Sequence, residues 1–204
     1  MRIACSLGSL LSVEQVIECT KMISKTKIDS IWIPETWGME NFSMLGAVSS
    51  ETKTQKIGSS IINIYSRSPS TISMGAATTD ILSNGRLILG LGTSSVPIVE
   101  DFHGEKFETP VQRMREYVEI IRLSLSKKQI NYSGKIFNLK NFTLLIEPKR
   151  QSIPIYLAAI NQKMVNLTWE LGDGVIFYLR PLDEMKKTIS KMQLERKIDV
   201  ACQI

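Results

Sequence analysis

Short apolar runs alternate with longer amphipathic segments from one end of the chain to the other. Arg2–Leu7 predicts a first strand, and Ser12 then stands as N-cap of a helix reaching about Thr26. Asp29–Pro34 predicts a second strand, followed by a helix from about Phe42 to Thr52. Lys56–Asn63 reads as the third strand and Ser70–Ser83 as a helix. Asn84-Gly85 turns the chain into Arg86–Leu91, the fourth strand. Pro110 opens a helix to about Ser126, its fixed φ suited to a first turn. Gln129–Tyr132 and Lys135–Leu139, joined through Ser133-Gly134, predict a hairpin. Ile153–Ala158, Gly174–Tyr178 and Ile198–Ile204 are strands five to seven, separated by helices over Gln162–Leu171 and Pro181–Gln193.

Strands alternating with helices at this spacing imply βαβ units and a parallel sheet. The runs Ile31–Pro34, Leu87–Leu91 and Pro154–Ala158 are apolar throughout, as expected when both faces of a sheet are covered. Two α/β architectures compete, an open doubly wound sheet and a (β/α)8 TIM barrel. A dinucleotide fold wants G-x-G-x-x-G directly after strand one, where only Ser6-Leu7-Gly8 stands. Gly90-Leu91-Gly92 at strand four also fails, because Ser95 occupies the third glycine's place. The barrel is therefore expected, as a single domain over residues 1–204 with an insertion over 95–140 after strand four.

With 204 residues the chain suffices for one domain and is short for two. Hydrophobic residues make up 43% and charged residues 22%, which excludes a disordered chain. The net charge of +5 is scattered over pairs such as Lys127–Lys128, Lys149–Arg150 and Lys186–Lys187. Without aromatics interleaved among them, these make no nucleic-acid platform. Cys5, Cys19 and Cys202 lie far apart and read as reduced thiols, not a disulfide framework or a C-x-x-C pair. The apolar N-terminal stretch is interrupted by Ser6, Gly8 and Ser9 and has no small-residue cleavage site, so it reads as a strand, not a leader. No run approaches the ~18 apolar residues of a membrane span. A cytoplasmic protein is expected, acting on a small molecule, with no nucleic-acid or membrane partner. His103 is the lone histidine, which excludes a His-rich metal site, and H-E-x-x-H and G-x-S-x-G are both absent.

Several segments in order resemble the bacterial-luciferase-like family of deazaflavin- and flavin-dependent oxidoreductases. They are Ile33–Gly38, Ser59–Pro69, Ala76–Thr79, Leu82–Arg86 leading into Leu89–Thr93, and His103-Gly104 with Phe107. Pro110, Arg113, Glu116 and Arg122 follow, then Ile153–Ala159, Lys163-Met164 and Gly172–Gly174. Each is weak alone, while their order and spacing are specific and cover essentially the whole chain. Glu35-Thr36-Trp37-Gly38 is most similar to a reductase subgroup that uses the deazaflavin coenzyme F-420 (methylenetetrahydromethanopterin reductase-like). The resemblance implies hydride transfer between F-420 (8-hydroxy-5-deazaflavin) and an organic substrate. An FMN-dependent monooxygenase is the alternative, and a catalytically silent barrel kept as a binding partner is a third reading.

A TIM barrel carries its site at the C-terminal ends of the strands. A hydride-transferring ring needs a shaped wall behind it, a partner for its polar edge, and an acid or base where the substrate exchanges a proton. The resemblance implies a non-prolyl cis peptide between Ser60 and Ile61 as that wall, with Asn63 and Thr93 beside it. It makes Glu35 the acid that does proton work or anchors the ring, the alternative being a helix-capping or surface glutamate. Thr36 stands where related sugar and alcohol dehydrogenases have histidine, and Trp37 either covers the ring or packs. The coenzyme's phosphate is expected on the backbone of Ala158, Ala159, Ile160 and Asn161, opening the helix after strand five. Tyr178, Arg180 and Arg67 are candidate neighbours of the same anion. Arg86, Gly85 and Gly174 open strands and are assigned to structure.

Three departures from the family pattern stand out. Asn161-Gln162 replaces the usual Gly-Pro, although asparagine caps helices and tolerates unusual φ. Thr93–Pro97 lacks the acidic and amide residues found after strand four, leaving Glu100 or His103 as substitutes; for His103 a structural role is the alternative. An eighth strand and its helices are missing relative to the pattern, so strands one and seven are expected to present open edges. That predicts a homo-oligomer or a C-terminal complementing chain.

Overall fold

A computed structural model describes residues 2–8, 10–126 and 129–203. Ser9, the Lys127–Lys128 pair and Ile204 therefore lie outside the described residues. In chain order the elements begin β1 (Ala4–Ser6), α1 (Val13–Ile23), β2 (Ser30–Ile33), α2 (Asn41–Glu51), β3 (Lys56–Ser59) and β4 (Ile62–Asn63). Next come α3 (Pro69–Leu82), β5 (Leu87–Gly92), a π-helical turn (Ile98–Phe102), α4 (Pro110–Leu125), β6 (Ile130–Ser133) and β7 (Asn138–Phe142). The chain continues through β8 (Ile155–Ala158), α5 (Gln162–Leu171), β9 (Gly174–Tyr178), α6 (Leu182–Glu195) and β10 (Asp199–Gln203).

The main sheet is parallel and runs β1-β2-β3-β5-β8-β9-β10, a nearly closed TIM barrel. Helices α1 to α5 pack in sequence against one another around it. Outward side chains such as Ile31, Ile33, Leu87, Leu89, Leu91, Ile155 and Leu157 are fully buried in the shell between strands and helices. Inward side chains form a smaller cluster of Trp32, Ile88, Tyr156 and Ile176. That division explains why the strands read as apolar without alternation. The barrel has room for its two large rings because Gly58 and Gly174 face them: a Cβ would lie 2.5 Å from the Trp32 ring and 2.7 Å from the Tyr156 ring.

Local signals set several boundaries as the sequence implies. Ser12 closes a capping box with Gln15, its backbone N–H donating to Gln15 Oε1 at 2.8 Å. Arg86 is structural, its guanidinium donating to the carbonyls of Ser49, Thr52, Gln55 and Ser83. The third strand departs from expectation, since Lys56–Asn63 is two strands separated at Ser60-Ile61. The hairpin also moves: its second strand is Asn138–Phe142, not Lys135–Leu139. The amides of Lys135, Ile136 and Phe137 leave the ladder to donate to the buried Glu116 carboxylate at 2.8–3.2 Å. Gly134 permits this, because a Cβ there would sit 2.3 Å from Glu116 Oε2. The 95–140 connection thus holds α4, packed between α3 and α5, with a π-helical turn before it and a hairpin after it.

Among the described residues β1 and β10 are the edges of the sheet. The Arg2 guanidinium reaches across the opening between them to Asp199, which also accepts from the Tyr156 hydroxyl. Among the described residues, no helix is long and apolar enough to cross a membrane.

Burial works to raise the Glu116 pKa, but hydrogen bonds from Gln112 and from the amides of residues 135–137 hold it below the ordinary value. A depressed folded pKa gives stability that is present above the unfolded value, about 4.3, and is lost as pH falls through the folded one. Glu116→Ala should therefore lose about 2 kcal/mol at neutral pH. In urea unfolding at pH 7 and pH 3, the gap between wild type and variant should narrow at the lower pH.

Candidate active site

The C-terminal mouth is organised by the break between β3 and β4. The Ser60–Ile61 peptide is cis, at the position the resemblance implies. After it the chain resumes pairing with β5, Ile62 opposite Leu91 and Asn63 opposite Gly92. Across the break Ser59 Oγ takes over the ladder, donating to the Gly90 carbonyl (2.9 Å) and accepting from the Gly90 N–H (2.7 Å). The displaced backbone presses into β5, where a Cβ on Gly90 would lie 1.9 Å from the Ser59 carbonyl oxygen. A Cβ on Gly92 would lie 2.5 Å from the Ile61 side chain and 3.4 Å from the Ala158 Cβ. Gly90 and Gly92, which fail as a nucleotide fingerprint, are thus the recess that receives the break. Their alternation on the inward face of strand four was the available signal.

This arrangement gathers Ile61 and Ala158 into an apolar wall facing the barrel axis. Three polar atoms in the segments after β2 and β3 are buried and unpartnered: Thr36 Oγ1, Ser60 Oγ and Asn63 Nδ2. Asn63 spends its Oδ1 on the Tyr65 N–H at 2.9 Å. Below the wall lies a cavity of about 400 Å³, reaching from Arg2 and Asp199 past Trp32 and Tyr156 to Ser60 and Gln203. Burial first, and then the Asp199 hydrogen bond, push the Tyr156 phenol pKa up.

Glu35 sits 11% exposed and is held by Arg67 through both carboxylate oxygens, at 2.6 and 2.7 Å. Glu35 Oε1 also accepts the Asn41 N–H at 3.0 Å, so the helix-capping alternative holds in part. Arg67, considered as a neighbour of the coenzyme's anion, instead lies against Glu35 and Glu40. Trp37 is 71% exposed and meets the exposed Phe102 edge-on, centroids 5.9 Å apart. Sequence reasoning passed over Phe102, because it belongs to the irregular π-helical turn. Glu100 accepts the Phe107 N–H at 3.1 Å, and His103 ends the same turn exposed to solvent.

Thr93 is half-buried and leads into Ser94, whose φ is +58°. Ala159 is buried and Ile160 exposed ahead of α5. Asn161 adopts extended backbone, φ −100°, and caps the helix through the Met164 N–H at 3.0 Å. No positive φ is needed there, so the missing glycine leaves the helix start intact. Tyr178 is exposed, and Arg180 lies over the Phe177 ring at 5.3 Å with its Nη1 buried and unpartnered.

Comparison with known proteins places residues 2–203 under the luciferase-like monooxygenase family. The chain belongs to that family. It is 37% identical over 157 residues to a 5,10-methylenetetrahydromethanopterin reductase of Archaeoglobus fulgidus, covering 76% of this chain and 46% of the relative. It is 34% identical over 164 residues to a putative coenzyme F420-dependent oxidoreductase of Mycobacterium tuberculosis, covering 74% and 47%. The chain thus spans about half the length of these relatives. Its fold superimposes on the coenzyme F420 dependent tetrahydromethanopterin reductase from Methanopyrus kandleri with a TM-score of 0.89 at 22% identity, over 98% of this chain and 65% of that one.

The recess makes a sharp prediction about two glycines. Gly90→Ala drives a methyl into a backbone carbonyl and should cost about 3 kcal/mol or more. Gly46→Ala in α2 meets only a leucine methyl at 3.7 Å and should be neutral or stabilising, by up to about 1 kcal/mol. Thermal melts of the two variants measure the contrast.

Proposed function

We propose that this chain forms the cofactor-holding part of an oxidoreductase that exchanges hydride between coenzyme F-420 and a small organic substrate. The observation that carries the reading is the Ile61–Ala158 wall, built against the two inward glycines of β5, with the unpartnered Ser60 and Asn63 atoms at the same break. A flat ring fits such a place: the wall takes its face, and Ser60, Asn63 and Thr36 meet its polar edge. Asn161 and the α5 first turn are placed to hold the anionic side chain, since first-turn amides have no partner inside the helix. Thr93 follows the C-terminal end of β5 and Tyr178 ends β9, and the exposed Trp37 and Phe102 rings meet edge-on after β2, available to cover a bound ring. When bound, the deazaflavin supplies the hydride donor or acceptor. The F420-dependent relatives support the deazaflavin over FMN.

Fluorescence titration tests the choice. F-420 should bind in the micromolar range and more tightly than FMN. Equal or reversed affinities move the protein to the FMN-dependent monooxygenase reading, and binding of neither supports a silent barrel.

We further propose that the β1 and β10 edges are covered in the working protein, by self-association or by a complementing strand from another segment. Two open rows of backbone donors and acceptors, ~4.8 Å from where a neighbour would lie, favour pairing. Light scattering over a dilution series should show association. A monodisperse species near 23.0 kDa with a cooperative melt contradicts the proposal.

A further inference from the structure

The loop between β2 and α2 carries Glu35, Thr36 and Trp37 to the mouth, and its centre is held by packing, Met39 on the core and Trp37 against Phe102. Among the described residues no hydrogen bond reaches residues 36–39. Its two ends, however, converge on one guanidinium. Arg67 grips Glu35 through two hydrogen bonds at the start of the loop and pairs with Glu40 at its end. Arg67 is 16% exposed, lies over the Phe42 ring at 5.8 Å, and offers its carbonyl to the Tyr117 hydroxyl of α4. Glu40 is itself committed as the α2 N-cap, accepting from Phe42 and Ser43 at 3.2 and 2.7 Å. Arg67 therefore ties three elements, the β2 loop, α2 and α4, at one point.

We propose that Arg67 is the positioning residue of the mouth, clamping both ends of loop 35–40 so that Thr36 and Trp37 face the ligand. Glu35 then serves as the fixed inner arm of the clamp, not as the proton-transferring acid. Neither of its oxygens is free of the guanidinium, and one carries a backbone N–H as well. A bidentate fork is the geometry only arginine supplies, so lysine at position 67 keeps the charge and loses the clamp. The clamp stands on the geometry alone; its effect on the ligand rests on the deazaflavin reading.

The test has two arms. Hydrogen exchange of the free protein needs no cofactor: the Asn41 amide, which donates to Glu35, should exchange at least tenfold faster in Arg67→Lys while α5 and β9 stay unchanged. Glu35→Gln should speed the same amide, and the double variant no further, because both changes break one tie. Unchanged exchange at Asn41, or additive effects, overturns the clamp. If these variants fail to fold, Glu40→Gln releases only the outer arm. Faster exchange at Asn41 is then expected, and no change overturns the proposal. In the second arm, Arg67→Lys should weaken F-420 binding at least tenfold with the melting temperature nearly unchanged. Weakened binding with the Asn41 amide still protected would mean that Arg67 holds the ligand directly and would overturn the clamp. Should the wild type bind no F-420, the function reading fails while the exchange arm still decides the clamp.

Discussion

Of all the glycines, Gly90 has the least room for a side chain: a Cβ there would lie 1.9 Å from the Ser59 carbonyl oxygen. Everything at the mouth follows from it. Because β5 has glycine at two inward positions, the backbone after β3 can step toward the axis and still return to the ladder at Ile62. Because it steps in, Ile61 faces Ala158 across the mouth, and Ser60 and Asn63 carry unpartnered polar atoms beside that wall. The outward residues of the same strand, Leu87, Leu89 and Leu91, are fully buried in the shell, so β5 is fixed from outside while it yields inside. The wall is thus a property of two strands, and the side chain that forms it is the less informative half.

The βαβ rhythm was legible because a parallel barrel buries both faces of each strand, which writes itself as apolar runs between amphipathic helices. Ser12 and Pro110 mark helix starts by local chemistry alone. What local chemistry cannot carry is partnership at long range. Nothing near residue 135 announces that three amides there belong to Glu116, so the hairpin's second strand was placed three residues early. The third strand read as continuous because Ser60 and Ile61 are ordinary strand residues; the break shows only through glycines thirty residues on. Glu35, Thr36 and Trp37 follow the end of β2, a position that the strand pattern gives, whereas the Glu35–Arg67 pair spans 32 residues and left no local trace.

Arginines tie the loops of this protein at both ends of the barrel, in two different ways. At the N-terminal end Arg86 is held by carbonyl oxygens and the Thr52 hydroxyl, and Arg150 joins the fully buried Asp80 to the Leu87 carbonyl. Those contacts reach the backbone of the strands' own connections, so they brace the sheet. At the C-terminal end Arg67 instead meets two carboxylates on one loop. Hydrogen bonding to Glu35 raises the arginine's pKa in spite of burial, whereas in Arg86 burial prevails and lowers it. The brace and the clamp therefore differ in kind: one guanidinium is neutralised by its partners and the other is only solvated by them.

The interior cavity follows from the same economy of side chains. Gly58 and Gly174 let Trp32 and Tyr156 fill the axis from one side, their rings 5.8 Å apart. On the other side, toward β1 and β10, the lining is Ala4, Ser6, Ala201 and the Arg2–Asp199 pair, which leaves about 400 Å³. A packed barrel interior would be filled by layered side chains from all its strands. Any strand pairing with both edges must therefore send into that space side chains that match its polarity. Near the N-terminal end they would meet Asp29, paired with Lys56, and Asp199, paired with Arg2, so polar groups face them there. Near Ile88 and Ile176 they would meet apolar surface. The order of polar and apolar positions on any strand that pairs there is thus constrained by the residues already in place.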